Sequence, residues 1–298
     1  MADRPFVIEP PGDIGVVEAL AARAARAWSL PQPELLRVGM NALFAAGDDV
    51  VLRIGRPTAD PAAALWLADQ LAAHGVRVPS FLGHEPLVEG PLVVYAVTRE
   101  HATGPTDWAA VGAMVRRVHQ LDPATIAARY PTPPCWSFPW WDFGVLMADV
   151  APMLDEPARC GIERAIARHA GWQDRVGPPP VVLHGDVHPG NVIQTADGPV
   201  LLDWDLVCTG PAAWDHGPLM TWTERWGGEP GVYEDFAAGY GTSLRGDPVA
   251  EAVAELRLVA ATLMRVRAGR TSPDVAAEAE RRLQWWRGDP DAPTWRAA

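Results

Sequence analysis

The chain has 298 residues, of which 48% are hydrophobic, and its formal net charge is −12. This length allows one large domain or two smaller ones, and the hydrophobic share is ample for a sizeable core. The negative charge argues against nucleic acid as a partner, because phosphates require a basic protein surface. All 25 residues counted as Lys or Arg are arginine, which excludes chemistry that depends on a lysine Schiff base or a lysine general base.

The amino-terminal stretch and the cysteines indicate an ordinary intracellular protein. Residues 1–28 contain no charged segment followed by an apolar one, and no uncharged apolar run approaches the ~20 residues of a membrane span. We therefore expect a cytoplasmic location and no membrane partner. Cys135, Cys160 and Cys208 lack CxxC spacing, so we expect buried, reduced thiols instead of disulfides or a zinc site.

The first third of the sequence predicts a helix followed by a small sheet. Asp13 is typical of a helix N-cap, and the apolar residues after it keep a 3.6-residue period until the chain meets Pro31. The elements predicted next are a hairpin with strands at 40–45 and 50–54, a helix over 61–74 and a strand over 91–98.

After residue 98 the pattern becomes mainly helical. An amphipathic helix is predicted over 106–121, because its apolar residues recur on one face. Further helices are predicted at 157–170, 250–269 and 272–288, the last with Ser272 as its N-cap.

The segment VVLHGDVHPGNV, residues 181–192, places polar residues between two apolar runs. His184, Asp186 and His188 alternate, so on a strand they would face one way and bind a metal ion, as in a metallohydrolase. Pro189 and Gly190 break the strand immediately, which weakens this interpretation.

The following segment, NVIQTADGPVLLDW, predicts a second hairpin with its turn at the sequence ADG. If Thr195 pairs with Pro199, Asn191 lies opposite Asp203, and a turn that differs by one residue still leaves the two as neighbours. An amide oxygen beside a carboxylate suits Mg²⁺, which prefers oxygen ligands. We expect Asp186 at the same end of this small sheet, near the metal.

These residues carry a resemblance. HGDVHPGN has the H-x-D-x-x-x-x-N spacing of the protein-kinase catalytic loop, and LLDWD stands where a metal-binding aspartate would follow. Together, LHGDVHPGN, LLDWD and GPAAWDHG resemble the aminoglycoside phosphotransferase family, which includes choline-kinase-like small-molecule kinases. The resemblance is specific over residues 181–219 and looser over 38–121.

The resemblance implies an α+β fold with two lobes, like that of the protein kinases. A small N-terminal lobe with an antiparallel sheet and helices, residues 1–98, would bind the nucleotide. A larger, mainly helical lobe, residues 99–298, would carry out catalysis and bind the acceptor.

The resemblance also assigns roles to residues. Asp186 would accept or orient the proton of the acceptor hydroxyl, while Asn191 and Asp203 would hold Mg²⁺ against the phosphates of ATP or GTP. Arg53 stands where the family commonly has a phosphate-binding lysine, and its guanidinium can still grip phosphates. His184 is interpreted as a hydrogen-bonding residue that shapes the loop.

The rest of the nucleotide site is less well marked. No glutamate in the helix over 61–74 offers itself as a partner for Arg53, and Asp205 is interpreted as a partner around the metal. Asn41 is a candidate phosphate contact. The backbone of residues 99–104, including Glu100 and His101, is expected to hold the base of the nucleotide.

The acceptor is expected to be a small hydroxylated molecule. No long activation segment follows Asp205, so a platform for a peptide substrate is not indicated. Candidate acceptors are an aminoglycoside or another antibiotic, an amino alcohol or a sugar. Some of the fourteen tryptophans could stack on a sugar or a cation, although packing explains most large aromatic residues. The acidic residues that could attract an ammonium group are Glu224, Glu229, Glu234 and Asp235. The alternative is a kinase-like nucleotide-binding protein with little transfer activity, which Arg53 and the missing glutamate favour.

Overall fold

The computed structural model describes residues 10–177 and 179–296. Every helix and strand predicted from the sequence is present, and the α+β class is confirmed. The strands are β1 (Glu34–Val38), β2 (Asn41–Ala45), β3 (Val50–Gly55), β4 (Leu87–Glu89), β5 (Leu92–Thr98), β6 (Val181–Leu183), β7 (Val192–Thr195), β8 (Gly198–Leu201) and β9 (Cys208–Gly210). The helices are α1 (Ile14–Ala27), α2 (Pro61–Ala73), α3 (Trp108–His119), α4 (Pro123–Ala127), α5 (Phe143–Val150), α6 (Glu156–Arg168), α7 (Ala213–Met220), α8 (Trp222–Trp226), α9 (Val232–Tyr240), α10 (Pro248–Ala268) and α11 (Pro273–Trp286).

The chain forms two compact units, and neither is continuous in sequence. The first unit contains the residues up to Asp107, together with Leu121–Thr132 and Asn191–Val207. The second contains Trp108–Gln120, Pro133–Gly190 and the residues from Cys208 onward. The division at residue 98 remains a prediction about functional lobes, because these units are defined by packing alone.

The first unit is built on a five-stranded antiparallel sheet in the order β1-β2-β3-β5-β4. Successive residues of a strand point to opposite faces. One face, which includes Phe44, Leu52 and Val94, packs against the buried side of α1. The other face carries Asn41, Arg53 and the aromatic ring of Tyr95, which is opposite Arg53 in the register.

The N-caps of two helices confirm local predictions. Asp13 accepts a hydrogen bond from the Val16 amide, at 3.1 Å, at the start of α1. Ser272 accepts one from the Val275 amide at the start of α11. Such caps satisfy amide groups that have no partner within the helix.

The second unit is mostly helical, with the long helix α10 packed against α5, α6, α7 and α11. Helices α3 and α9 approach closely because both carry glycine where they cross. A Cβ atom at Gly112 would lie 2.0 Å from the Phe236 carbonyl oxygen, and one at Gly239 would lie 1.8 Å from the Ala109 carbonyl oxygen. Any larger residue at either position would force the two helices apart.

The hairpin β7–β8 differs from its predicted register. Thr195 pairs with Gly198 instead of Pro199, because the turn consists of Ala196 and Asp197 and the positive φ of 113° falls on Gly198. Asn191 therefore aligns with Leu202, whose amide donates to the Asn191 carbonyl at 2.9 Å, and the pairing with Asp203 is wrong by one residue. Asn191 and Asp203 lie just outside the two strands, so strand pairing does not bring them opposite each other as expected.

No helix in the described part of the chain is long and apolar enough to cross a lipid bilayer. The three cysteines are free thiols. Cys135 and Cys208 are buried as expected, whereas Cys160 is half-buried on α6.

Candidate active site

The loop HGDVHPGN begins directly after β6 in the second unit. Because β6 ends at Leu183 and Gly185 has a φ of 93°, His184, Asp186 and His188 do not share the face of a strand. Among residues 10–177 and 179–296, no group of three or more histidine, cysteine or acidic side chains could hold a metal ion. The metallohydrolase interpretation therefore finds no support.

Asp215, on α7, fixes the backbone of this loop. Its carboxylate is fully buried and accepts hydrogen bonds from the amides of His184, at 2.9 Å, and Gly185, at 2.8 Å. Burial raises the pKa of Asp215, but the hydrogen bond and charge of His119 outweigh burial and leave the pKa below its usual value. Asp215 therefore braces the backbone at the start of this loop.

His119 was not identified from the sequence. Its Nε2 lies 3.0 Å from Asp215, and its Nδ1 lies 2.9 Å from the hydroxyl of Tyr240. His184 has the structural role expected for it, because its Nδ1 accepts a hydrogen bond from the Asp186 amide at 3.2 Å. Two side chains thus hold the loop: Asp215 contacts it from α7, and His184 forms a hydrogen bond within the loop.

Asp186 keeps a partly exposed carboxylate, with 30% of its side chain accessible. Its Oδ1 accepts a hydrogen bond from Arg257, on α10, and its Oδ2 lies 3.4 Å from His188 Nε2. Burial alone would raise the pKa of Asp186, but the attraction and hydrogen bond of His188 and the charge of Arg257 reverse this effect. The pKa of Asp186 lies well below its usual range, so the carboxylate is ionised at neutral pH.

Arg257 is the main residue that sequence analysis missed at this site. It also donates to the Gly185 carbonyl at 3.0 Å, and its guanidinium lies over the rings of Trp140, at 5.2 Å, and Trp214, at 5.5 Å. The available signal was an arginine within the otherwise apolar stretch LRLVAATLM. A charge in such a stretch needs a buried partner, although the sequence does not say which one.

His188 lies beside Asp186 and is held in place by two contacts. Its Nδ1 accepts a hydrogen bond from the Gly190 amide at 3.0 Å, and its ring stacks on Trp222 with 6.0 Å between centroids. Because Nδ1 accepts, the neutral ring carries its proton on Nε2, the nitrogen that faces Asp186. His188 therefore directs an N–H group toward the Asp186 carboxylate.

In the first unit, Arg53 is the centre of a polar cluster. Its guanidinium pairs with Asp205 and lies 3.6 Å from Asp203, and Asn41 Nδ2 donates to the same Asp205 oxygen at 3.0 Å. Burial raises the pKa of Asp205, but the charge of Arg53 and the hydrogen bond from Asn41 outweigh it and lower that pKa. Burial alone would lower the pKa of Arg53, but the negative charges of Asp205 and Asp203 outweigh burial and raise that pKa.

This cluster supplies the partner of Arg53 that could not be assigned from the sequence. The acidic residues in and before α2 do not provide it, since Asp60 caps the helix and Asp69 is exposed. Asp205, in the segment after β8, is the acidic partner of Arg53 instead. The ion pair joins residues 152 positions apart, which explains why spacing did not reveal it.

The proposed metal ligands Asn191 and Asp203 both belong to the first unit. Asp203 has left-handed backbone angles, φ 59° and ψ 69°, and 40% of its side chain is accessible. Asn191 is buried, with 8% accessible. An amide oxygen and an ionisable carboxylate are hard donors of the kind that Mg²⁺ prefers, so the residue types fit that ion.

Glu100 and His101 follow β5 in the first unit. Glu100 accepts a hydrogen bond from the Thr98 hydroxyl at 2.8 Å, and His101 Nε2 donates to the Asp48 carbonyl at 2.9 Å. These contacts tie the end of β5 to the β2–β3 turn. The assignment of both residues to the nucleotide stays a prediction.

Most tryptophans in the second unit serve packing, as expected. Trp141 and Trp214 lie 4.4 Å apart between ring centroids in the buried core, and Trp286 and Trp295 are also buried. Among the acidic residues considered for a cationic acceptor, Glu234 is already paired with Arg245.

One unit with a five-stranded antiparallel sheet and another that is mostly helical are the features of the protein-kinase-like fold. The model of the APH phosphotransferase enzyme family matches residues 41–258. This match covers more than half of the sequence, and the chain belongs to that family. Comparison with curated protein sequences finds no significant match.

Solved structures with a similar fold are enzymes that act on small molecules, according to their names. The GDP and kanamycin complex of APH(2")-IIia has a TM-score of 0.70 and 15% identity, and the match covers 92% of this chain and 99% of that one. Amicoumacin kinase hAmiN, in complex with AMP-PNP, Ca²⁺ and Ami, has a TM-score of 0.64 and 14% identity, and the match covers 95% of this chain and 96% of that one. Macrolide 2'-phosphotransferase MphH from Brachybacterium faecium has a TM-score of 0.56, 20% identity and coverages of 94% and 100%.

Proposed function

We propose that this protein transfers the γ-phosphoryl group of ATP or GTP to a hydroxyl of a small molecule. The observation that carries the proposal is Asp186, an accessible and ionised carboxylate in a loop whose backbone is fixed by Asp215. Such a group suits the proton of an attacking hydroxyl. Membership of the phosphotransferase family supports the same reaction.

Asp186 acts mainly by orienting the acceptor hydroxyl. Because its pKa is low, it is a weak base, and it holds the hydroxyl by accepting a hydrogen bond until the oxygen has begun to bond to phosphorus. The proton then passes to the carboxylate as the bond to the nucleotide breaks. Arg257 and His188 fix the direction of the carboxylate while this happens.

The remaining roles concern the nucleotide. Arg53 would contact its phosphates, with Asn41 beside it, and the segment with Glu100 and His101 would hold its base. Asn191 and Asp203 would hold Mg²⁺, which neutralises phosphate charge when bound. The nucleotides and the Ca²⁺ named in the related structures support a nucleotide site with a divalent cation.

The acceptor that we propose is a hydroxylated natural product of the antibiotic type, such as an aminoglycoside or a macrolide. The names of the related structures support this class. Modification of such a compound would give resistance, and we propose that it occurs in the cytoplasm, where nucleotide is available. The net charge of −12 is compatible with a cationic acceptor and unfavourable for nucleic acid.

The alternative was a nucleotide-binding protein with little transfer activity. It depended on Arg53 in place of lysine and on the absence of an acidic partner in α2. Asp205 provides that partner, so the arginine is held as a phosphate-binding cation must be. This pairing favours the enzyme.

The experiment is a panel of hydroxylated compounds, with nucleotide turnover as the readout. With an accepted compound, Asp186→Asn should lower transfer roughly 10²- to 10⁴-fold while nucleotide affinity and melting temperature stay near those of the wild type. The exposed Asp69→Asn is the matched control and should transfer normally. Unchanged transfer in Asp186→Asn would contradict the role of this residue. If none of the compounds in the panel stimulates nucleotide turnover, the proposed function is contradicted.

A further inference from the structure

Trp222, on α8, stacks on two other rings of the second unit. The ring of His188 lies 6.0 Å from it between centroids, at 21° to its plane, and the ring of Trp226 lies 5.5 Å away at 14°. Among residues 10–177 and 179–296, His188 and Trp226 make no ring contact with each other, so they lie against opposite faces of the indole. The three rings form an aromatic column, His188–Trp222–Trp226.

The far end of the aromatic column is anchored on α11. The guanidinium of Arg282 lies over the ring of Trp226, with 4.7 Å from Cζ to the centroid. Arg282 is buried, with 2% accessible. It donates to Glu278 at 3.1 Å and to the carbonyls of Ala261, at 2.9 Å, and Arg296, at 3.0 Å. Because these hydrogen bonds fix the guanidinium, Trp226 packs against a rigid support.

The edge of the Trp222 indole is fixed as well. A Cβ atom at Gly228 would overlap Cδ1 and Nε1 of the indole, so this edge packs directly on the glycine backbone. The Gly228 amide also donates to the Trp222 carbonyl at 3.3 Å. Both faces and one edge of the indole are therefore occupied by the protein itself. A ligand has no face of Trp222 on which to stack, and the residue acts through its neighbours.

The near end of the aromatic column is His188, which lies between Trp222 and Asp186. Its Nε2 lies 3.4 Å from Asp186 Oδ2, and its Nδ1 accepts a hydrogen bond from the Gly190 amide at 3.0 Å. These two polar contacts define a line through the imidazole ring, but they leave the ring free to tilt about that line. Stacking on the indole fixes the tilt.

We propose that Trp222 is a positioning residue for phosphoryl transfer, which fixes the tilt of His188 and thereby the direction of the Nε2–H group toward the Asp186 carboxylate. The effect on catalysis rests on the proposed function, whereas the effect on the orientation of His188 does not. Phosphoryl transfer depends mainly on positioning, so a carboxylate that loses its fixed neighbour should orient the acceptor hydroxyl less well. The loss should appear in kcat and not in the KM of the nucleotide.

The orientation of His188 is tested by NMR on the full chain without nucleotide. In the wild type, a nuclear Overhauser contact should join the proton on His188 Cε1 to the Gly190 amide, because Nδ1 accepts from that amide. This contact should be lost in Trp222→Leu and kept in Trp222→Phe, which restores an aromatic face. An undiminished contact in Trp222→Leu would overturn the proposal, whether or not the protein transfers phosphate.

The effect on catalysis is measured by steady-state kinetics with an accepted compound. Trp222→Leu should lower kcat roughly tenfold at an unchanged KM for the nucleotide, and Trp222→Phe should recover most of this loss. Gly228→Ala keeps the tryptophan, but its methyl group displaces the indole, so kcat should fall here too. Trp136→Leu, which changes an exposed tryptophan of the same unit, is the matched control and should keep the kcat of the wild type.

A double-mutant cycle shows whether Trp222 acts through His188. If it does, His188→Ala lowers kcat, and the addition of Trp222→Leu causes less than about a further twofold loss. Additive losses, or the kcat of the wild type in Trp222→Leu, would overturn the proposal. Should Trp222→Leu unfold below the assay temperature, Gly228→Ala decides in its place. If no compound is accepted, the proposed function fails, while the NMR result still supports or overturns the positioning of His188.

Discussion

Arg257 of α10 holds both the side chain and the backbone of the loop around Asp186. One guanidinium nitrogen donates to the Asp186 carboxylate, and another donates to the Gly185 carbonyl at 3.0 Å. The two bonds fix the orientation of the carboxylate relative to the chain that carries it. Together with His188 they also keep it ionised.

We expect Arg257→Gln to disturb the position and the ionisation of Asp186. Without the cation, the pKa of Asp186 rises, because burial favours its protonated form. The acid limb of the kcat/KM profile should therefore move to higher pH, and kcat at neutral pH should fall roughly 10- to 100-fold. Steady-state kinetics as a function of pH measures both effects.

Arg257→Lys keeps the charge but not the two-point contact, so its acid limb should stay near that of the wild type while kcat falls. Arg265→Gln, on the same helix, is the matched control and should leave both quantities unchanged. A loss of kcat in Arg257→Gln without any movement of the acid limb would show that the residue is needed only for packing.

Asp215→Asn should destabilise the fold. The substitution removes a buried charge that accepts two backbone amides and faces His119, and its amide would point a donor at groups that already donate. Loss of one member of such a buried network costs roughly 3 kcal/mol. Urea unfolding should show this loss in Asp215→Asn but not in Asp69→Asn, which changes an exposed carboxylate. Equal stability of the two variants would contradict the bracing role.

The pair Arg53–Asp205 can be tested by a double-mutant cycle on nucleotide affinity. We expect Arg53→Met to weaken ATP binding about tenfold or more, since a charge-assisted contact to phosphate is lost. If Asp205 acts by holding Arg53, Asp205→Asn weakens binding too, and the double variant is no worse than Arg53→Met. Calorimetric titration gives the affinities, and Arg37→Met, exposed on β1, is the control. Additive losses would assign Asp205 a role independent of Arg53.

Stability at mildly acidic pH should depend on His216. This residue is buried beside Tyr233, its Nε2 has no hydrogen-bond partner among the described residues, and burial lowers its pKa to about 4. The unfolded chain binds a proton near pH 6.5, whereas the folded protein does not until about pH 4. Protons therefore favour unfolding across this window, and the free energy of unfolding should fall by about 3 kcal/mol as the pH decreases through it.

In His216→Asn this decrease should disappear, although the variant is less stable at neutral pH because it leaves a void. His74→Asn, at the exposed C-cap of α2, should keep the dependence of the wild type. Denaturant unfolding at several pH values measures the slope. An identical slope in His216→Asn and the wild type would contradict the assignment.

The elements of the fold were predictable because their signals are local. Asp13 and Ser272 cap helices through amides within three residues, and the alternation of β2, β3 and β5 follows from the pleat of a strand. The register of β7–β8 was missed by one residue, because the turn formed at Ala196 and Asp197 and placed the positive φ on Gly198. The turn type sets the register of a hairpin, and the letters ADG are compatible with more than one short turn.

The order of residues alone determined the resemblance to the phosphotransferase family. Asp186, Asn191 and Asp203, whose roles stay predictions, carry that resemblance because they lie within one short stretch of chain. Folding decided which cations face the carboxylates. Arg257 reaches Asp186 from 71 positions away, and Arg53 reaches Asp205 from 152 positions away. Ionisation in a protein depends on charges a few ångströms away, and tertiary packing brings these together from parts of the chain that no local pattern connects.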